Sequence, residues 1–324
     1  MLPYGVTEPM KGLTDIAGIR VGHVSDFEAI TGCTAILCEA GAVGGVEIRG
    51  SASGTEETPT LSPQHVDPVA HGILLAGGSA FGLEAASGVR RYLESRGAGV
   101  TTPYAKVPIV AAAVLYDLGV GKAHVRPNLA MGEAAALAAT ADAVAEGAVG
   151  AGTGATVGKF FGMAQAMKSG IGSYTVALPG GVLVAALVAV NAFGDVRDPA
   201  TGKIVAGARK APNSGEFADT EAQMKLRKPP ELVRHNTTLG VVATNARLDK
   251  VAATKLAQLA SLGMARTIYP VNTTLDGDTV FALSAGDRSG DIDMLGSAAA
   301  EAMARAILRA VKLAKTLGGV PGLG

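Results

Sequence analysis

Short apolar runs, separated by glycine, proline and polar residues, recur along the whole chain and predict a series of strands and helices. Residues 176–190 form the most hydrophobic run, and its interruption at Pro179, Gly180 and Gly181 predicts two core strands joined by a turn. Alternating or continuous apolar residues predict further strands over 19–24, 34–38, the first part of 41–54, 71–75, 237–244 and 279–283.

Apolar residues at helical spacing predict four amphipathic helices among these strands. They cover residues 80–96, 132–146, 248–262 and 294–317. Strands and helices are therefore mixed throughout, and no internal repeat is present. The pattern predicts a protein of the α/β or α+β class rather than an all-helical or all-strand one.

The segment 206–234 differs in character from the rest of the chain. It is polar, charged and proline-containing, with little apolar periodicity, which is typical of a surface linker. The strand predicted from Thr237 follows it directly, so the linker would lead to the start of a buried strand.

Composition excludes several function classes. The 324 residues carry 28 basic and 28 acidic side chains with no basic block, which argues against a nucleic-acid or membrane-surface partner. Cys33 and Cys38 lack the further ligands of a zinc site, so we expect two buried thiols in a reducing compartment. The run 176–190 is too short to cross a bilayer, and the first 18 residues lack the apolar core of a signal peptide. A cytoplasmic protein is expected.

Glycine-rich loops raise the question of nucleotide binding. The loop GAGTGATVGK over 150–159 ends in Gly-Lys, but Thr153 and Phe160 stand where a phosphate-binding loop needs glycine and a hydroxyl residue. The loop AGGSAFG over 76–82 follows a strand, yet it lacks the dinucleotide-binding glycine spacing. We therefore interpret these glycines as tight turns and close packing, and expect no nucleotide cofactor.

The sequence NTT at 236–238 has two interpretations. Thr237 and Thr238 suit the entry of a strand because of their branched side chains. Alternatively, Thr237 is a nucleophile, and a threonine hydroxyl then needs a base within reach, which a free α-amine on the same residue supplies. An internal threonine gains that amine only if the Asn236–Thr237 bond is cut. The hydroxyl would attack the Asn236 carbonyl, and water would hydrolyse the resulting ester.

A pair of acidic residues precedes the strand at 279–283. In extended backbone Asp276 and Asp278 point to the same face, so both carboxylates can converge on a freed threonine amine. Taken alone, these residues are better explained as an ordinary Asp-Gly turn.

Several motifs in order carry a resemblance to a known family. They are LTDIAGIRVGH, TGCTAIL, EIRG, GILLAGGSAFGLEAASGV, VPIVAAAVLYDLGVG, GAGTGATVGK and NTTLGVVATN, spread over most of residues 13–284. Together they resemble the P1-family peptidases, which are autoprocessed N-terminal-nucleophile hydrolases that include D-aminopeptidase-like and β-aminopeptidase enzymes. NTT combined with DGD is most similar to the branch of 6-aminohexanoate-oligomer (nylon-oligomer) hydrolases. The chain departs from the aminopeptidase branch, which typically has Gly-Ser at the cut.

The resemblance implies a layered α-β-β-α fold, a single catalytic domain cut into 1–236 and 237–324, and a homo-oligomer, usually a tetramer of processed heterodimers. It implies hydrolysis of short peptides, amino-acid amides or ω-amino-acid oligomers through an acyl-enzyme, with no metal or organic cofactor. The residues that match the family's site are Thr237 as nucleophile, Asp276 and Asp278 beside it, Asn191 as oxyanion donor, and Lys159 and Tyr116 lining the pocket.

Two other functions stay open at this point. An acyl-transfer enzyme of the ornithine acetyltransferase type would also cut itself before a threonine, and a non-catalytic small-molecule binding protein would need no cut. A Ser/His/Asp hydrolase is disfavoured because the five histidines are scattered and no G-x-S-x-G motif is present. Among them His235 lies beside the predicted cut, where solvent exposure in the linker is expected.

Overall fold

The structure is a computed structural model that describes residues 10–66, 69–227 and 236–324. Five α-helices occur in this part of the chain: α1 (Ala85–Ser95), α2 (Leu129–Leu137), α3 (Thr220–Leu226), α4 (Lys250–Thr267) and α5 (Ile292–Lys312). The longer strands are β1 (Arg20–Asp26), β2 (Thr31–Ile48), β4 (Ala70–Ala76), β7 (Val110–Val114), β10 (Ile171–Leu178), β11 (Val182–Asn191), β14 (Thr237–Ala246) and β16 (Thr279–Arg288). The shorter strands are β3 (Gly54–Glu56), β5 (Val100–Thr101), β6 (Lys106–Val107), β8 (Thr156–Val157), β9 (Met167–Lys168), β12 (Asp195–Arg197), β13 (Ile204–Ala206) and β15 (Ile268–Tyr269).

The long strand β2 belongs to two sheets. Its first part pairs with β1 and β4, and its last part, Val43–Ile48, pairs antiparallel with β16. The first sheet continues through β7 to β3, and the second runs β2-β16-β14-β11-β10. Within the second sheet β14 and β16 are parallel and β11 is antiparallel to β14. The last residues of β11 and the first residues of β14 and β16 therefore lie next to one another.

Three apolar layers hold the two sheets and the helices together. The sheets face each other through residues such as Ile36, Ile73 and Val241. The outer face of the second sheet packs on α4 and α5, and the outer face of the first sheet packs on α1 and α2; side chains such as Met303 and Val89 fill these layers. The order helix–sheet–sheet–helix is the α-β-β-α arrangement expected from the resemblance, and it is confirmed.

Most of the elements expected from the apolar pattern are present, including the two strands around Pro179. The helix predicted over 132–146 is wrong in its bounds, because α2 runs from Leu129 to Leu137. Thr140 exchanges main-chain hydrogen bonds with Val21 of β1, so the chain leaves the helix to join the sheet edge. Helix 80–96 begins as a 3₁₀ turn, Ser79–Glu84, before α1.

The interpretation of 206–234 as a surface linker holds for 210–216, most of which is exposed, and is wrong for 206–209 and 217–220, which are packed against the rest of the chain. The buried carboxylate of Asp195 accepts hydrogen bonds from the Ala208 N–H at 2.7 Å and from both the N–H and the hydroxyl of Thr220. Arg197 pairs with Asp219 at the start of α3. These polar contacts explain why a segment without apolar periodicity is nevertheless packed. Residues 228–234 lie outside the described residues.

Both cysteines are buried and unbonded to each other, as the sequence predicts. Burial raises the pKa of each thiol to about 12, which leaves them protonated and unreactive at neutral pH. Among the helices of the described residues, none combines the length and the apolar character needed to cross a membrane.

Candidate functional site

Thr237 begins β14 in the interior of the second sheet. Pairing with β11 sets Thr237 directly across from Asn191, the last residue of that strand. Pairing with β16 brings the residues just before Thr279 alongside the start of β14. The threonine is 3% exposed, so the sheet register encloses the start of this strand on both sides.

The peptide bond before Thr237 is held by an unusual set of contacts. Asn236 forms a parallel bridge with Asp276, its N–H donates to the Leu275 carbonyl at 2.9 Å, and its carbonyl accepts the Gly277 N–H at 2.7 Å. The Thr237 hydroxyl donates to the same Asn236 carbonyl oxygen at 2.5 Å. The hydroxyl therefore lies against the carbonyl that a self-cleavage step would attack, and a main-chain donor already polarises that carbonyl.

The two acidic side chains flank this point and are both buried. Asp276 accepts the Phe193 N–H at 3.1 Å and the Thr273 hydroxyl at 2.5 Å. Asp278 accepts the N–H of Thr238, the residue after the candidate nucleophile, at 2.6 Å. Each carboxyl group thus accepts a main-chain N–H, from Phe193 or from Thr238, and is not displayed at the surface.

Close main-chain packing buries the acidic motif. The Ala52 N–H donates to the Asp276 carbonyl, and the Arg49 and Gly50 N–H groups donate to the Asp278 carbonyl. A Cβ atom on Gly50 would lie 2.2 Å from the Asp278 nitrogen, so only glycine fits there. A Cβ on Gly277 would lie 2.7 Å from the Thr237 hydroxyl oxygen, which explains the glycine between the two acids.

Burial and mutual repulsion perturb both carboxyl groups. Loss of solvent raises the pKa of Asp276, and loss of solvent together with the charge of Asp276 raises the pKa of Asp278. Hydrogen bonds from main-chain N–H groups and the nearby Lys159 ammonium act in the opposite direction. Two carboxyls in such positions favour a state in which the pair retains a proton near neutral pH, which suits proton transfer.

Lys159 and Asn191 form the other wall of the site. The Lys159 ammonium donates to the Asn191 carbonyl at 2.9 Å and to its side-chain oxygen at 2.7 Å, and the Thr156 N–H donates to that side-chain oxygen at 3.0 Å. The Asn191 amide nitrogen donates to the main-chain carbonyl of Tyr116 at 2.9 Å. These partners fix which end of the amide is oxygen.

Lys159 is 5% exposed, so the charged form of its amine is poorly solvated. Burial lowers the pKa of this amine to about 7, with the charges of Asp276 and Asp278 resisting the shift and that of Lys168 adding to it. Near neutral pH the side chain is therefore partly an uncharged amine, which can accept a proton. The resemblance implied for Lys159 only a place lining the pocket.

The structure brings Thr237, Asp276, Asp278, Asn191 and Lys159 to one place, with Tyr116 contributing its carbonyl to the rim through Asn191. Reasoning from the sequence missed main-chain donors. The Gly277 N–H binds the Asn236 carbonyl, and the Phe193 N–H binds Asp276. It also missed Thr273, although the motif NTTLDGD places that hydroxyl three residues before Asp276. His235 lies outside the described residues.

Comparison with known proteins gives matches over nearly the whole chain. The sequence profile of peptidase family S58 matches residues 11–323. An uncharacterized aminopeptidase of Mycobacterium leprae is 40% identical, with the match covering 97% of this chain and 93% of the relative. A 6-aminohexanoate-oligomer endohydrolase of Kocuria sp. is 32% identical, with 92% and 85% covered.

Experimentally solved structures also match this fold. An L-aminopeptidase D-Ala-esterase/amidase of Ochrobactrum anthropi, described as a variant of the Ntn hydrolase fold, superposes with a TM-score of 0.72. The match covers 99% of this chain and 91% of the other at 20% sequence identity. The layered architecture described above is therefore that of the Ntn hydrolase fold.

Proposed function

We propose, from the premise that the chain belongs to peptidase family S58 and is a hydrolase of amide or peptide bonds, that Thr237 is its nucleophile after self-cleavage. Cutting before Thr237 would give fragments 1–236 and 237–324. One observation carries the proposal: the Thr237 hydroxyl lies 2.5 Å from the Asn236 carbonyl oxygen while the Gly277 N–H donates to that same oxygen.

The self-cleavage step begins with the hydroxyl of Thr237. Its oxygen bonds to the Asn236 carbonyl carbon, and its proton passes to the uncharged form of Lys159. The bond between that carbon and the Thr237 nitrogen then breaks, and the nitrogen takes up the proton. The resulting ester links Asn236 to the threonine side chain. Water hydrolyses it and leaves a carboxylate on Asn236 and a free amine on Thr237.

Substrate hydrolysis repeats this chemistry with a second amide. The free amine of Thr237 accepts the hydroxyl proton as the oxygen bonds to the substrate carbonyl carbon, and the substrate's C–N bond breaks as its nitrogen takes up that proton and leaves as an amine. Water then hydrolyses the ester on Thr237, which releases the acyl group as a carboxylate and restores the hydroxyl. The Gly277 N–H and the Asn191 amide are the proposed donors to the developing oxyanion. One such donor typically lowers the barrier by about 2.7–4 kcal/mol. Asp276 and Asp278 hold the ammonium form of Thr237 and keep the start of β14 in place.

The proposed substrates are short peptides, amino-acid amides or ω-amino-acid oligomers. The Mycobacterium relative is named an aminopeptidase and the Kocuria relative acts on 6-aminohexanoate oligomers, so both kinds of amide support this range. Failure of the processed protein to hydrolyse 6-aminohexanoate oligomers would remove the last class from the proposal.

The first experiment is the intact mass of the denatured, purified protein, alongside a Thr237→Ala variant. Two chains that meet between Asn236 and Thr237 in the natural protein, and one uncut and inactive chain in the variant, are expected. A natural chain that stays whole, or a variant that still hydrolyses amides, contradicts the proposal. An acetyl-ornithine to glutamate exchange assay separates hydrolysis from acyl transfer.

A further inference from the structure

We propose that the main-chain edge Leu275–Gly277 recognises the acyl residue of the substrate by strand-like pairing. The preferred substrates would then be amides whose acyl residue carries an N–H on the carbon next to the carbonyl, including residues whose nitrogen is already acylated. This inference rests on the proposed function, since it takes Thr237 as the nucleophile.

The uncut chain displays where an acyl group binds. In self-cleavage the hydroxyl of Thr237 attacks the Asn236 carbonyl and forms an ester, and in substrate hydrolysis the same oxygen forms the same ester with the substrate. The two esters share the threonine oxygen and the position of the attacked carbon. Asn236, which is 1% exposed, therefore occupies the place that a substrate's acyl residue takes after the cut.

Two main-chain hydrogen bonds define this place. The Asn236 N–H donates to the Leu275 carbonyl at 2.9 Å, and the Asn236 carbonyl accepts the Gly277 N–H at 2.7 Å. The pair straddles Asp276, to which Asn236 is bridged in parallel. An extended peptide that adds a strand to a sheet edge forms the same pattern, and its main-chain hydrogen bonds supply affinity that does not depend on its side chains.

The spacing of these two groups selects among the proposed substrates. Both hydrogen bonds form only if the donor nitrogen and the attacked carbonyl are separated by one carbon, as in an α-amino acid. A 6-aminohexanoyl group carries its nitrogen at the far end of a methylene chain and leaves the Leu275 carbonyl without this donor. Loss of a matched hydrogen-bond partner in a site costs affinity because the remaining group is desolvated without compensation.

The position of Asn236 also indicates whether the substrate needs a free amino terminus. Asn236 is itself joined to a preceding residue through its nitrogen, so its place accommodates an acylated nitrogen as well as a free amine. The enzyme is thereby expected to cut within short peptides, and a free amino terminus is not required.

The test uses the processed, two-chain protein and a matched set of p-nitroanilides. The reference is acetyl-alanyl p-nitroanilide, and its isosteric partner is acetyl-lactyl p-nitroanilide, in which an ester oxygen replaces the N–H. Acetyl-6-aminohexanoyl p-nitroanilide represents the ω-amino acids, and alanyl p-nitroanilide carries the free amine. The outer control pair is acetyl-alanyl-alanyl and acetyl-lactyl-alanyl p-nitroanilide. In this pair the same replacement of N–H by oxygen lies one residue further from the cleaved bond.

We expect kcat/KM to fall about tenfold from acetyl-alanyl to acetyl-lactyl, which corresponds to about 1.4 kcal/mol. The outer pair should differ less than about twofold, and the 6-aminohexanoyl compound should be the poorer substrate. Equal kcat/KM values for the acetyl-alanyl and acetyl-lactyl compounds would refute the proposed pairing. If only alanyl p-nitroanilide, with its free amine, is hydrolysed, the site does not accept an acylated nitrogen. Two chains with no hydrolysis of any amide would instead refute the proposed function, and the inference with it.

Discussion

Two buried lysines stand nine residues apart, and burial lowers the pKa of each to about 7. Lys168 donates to three main-chain carbonyls, those of Gly152, Ala155 and Ser169, and it interacts with the buried carboxylate of Asp117. Lys159 instead binds Asn191, directly across the sheet from Thr237. One amine organises a loop, whereas the other stands at the point where chemistry is proposed.

The difference shows that a shifted pKa does not by itself mark a functional group. Asp117, the partner of Lys168, is also held by the Thr31 hydroxyl and the Gly78 N–H, each at 2.7 Å. Such a network fixes the glycine-rich loops in place, and its loss is expected to reduce stability. Lys159 is bonded to Asn191, which pairs with Thr237, and it is the proposed proton acceptor, so its loss is expected to reduce the rate of self-cleavage.

The largest expected effect is on self-cleavage in a Lys159→Met variant. Removal of a proton acceptor typically costs about 10²–10⁴-fold in rate, so the variant should remain largely uncut under conditions where the natural chain is cut. Mass spectrometry of freshly translated protein over time measures this. Lys168→Met is the matched control and should be cut at nearly the natural rate. Comparable slowing in both variants would contradict a specific role of Lys159 in self-cleavage.

The second effect is on stability, compared between uncut chains that share the Thr237→Ala change. Adding Lys168→Met leaves three buried main-chain carbonyls without their donor and removes the positive charge that favours the ionised form of Asp117, so it should lower the free energy of unfolding by about 1–3 kcal/mol. Chemical denaturation measures the loss. Adding Asp117→Asn should restore part of it, and no recovery would argue that the carbonyl contacts alone account for the stability.

A third change tests how tightly the acidic motif surrounds the nucleophile. In a Gly277→Ala variant the new Cβ would lie 2.6 Å from the Ala52 carbonyl oxygen and 2.7 Å from the Thr237 hydroxyl oxygen. The local shift should slow self-cleavage about tenfold or more, since the Gly277 N–H moves with it. Gly215→Ala, where nothing lies within 4 Å, is the control and should cut normally.

The smallest effect is the pH dependence of self-cleavage. Because the proposed proton acceptor is the uncharged amine of Lys159, the rate should fall as pH drops through about 7. One pH unit below that pKa only about a tenth of the amine is uncharged, so the rate should be roughly tenfold below its plateau. Timed mass spectrometry on both sides of pH 7 checks this. A rate that rises on acidification would contradict the role given to Lys159.

The apolar pattern by itself determined most of the fold. Continuous apolar runs on both sides of Pro179 favour buried strands, and the alanine-rich periodicity of α5 favours a helix with one buried face. Boundaries depended on distant partners, since α2 ends where Thr140 meets Val21. The packing of Ala208 and Thr220 depended on polar bonds to Asp195, which leave no periodic signal in the sequence.

The candidate site divides in the same way. The motifs of the sequence, through the family resemblance that they carry, were enough to propose Thr237, Asp276, Asp278, Asn191 and Lys159 as candidates. Only the tertiary structure decided that the Gly277 N–H meets the Asn236 carbonyl, and that Lys159 rather than Lys168 binds beside Thr237. The physical reason is that these relations arise from sheet register and from desolvation, which depend on neighbours remote in the chain.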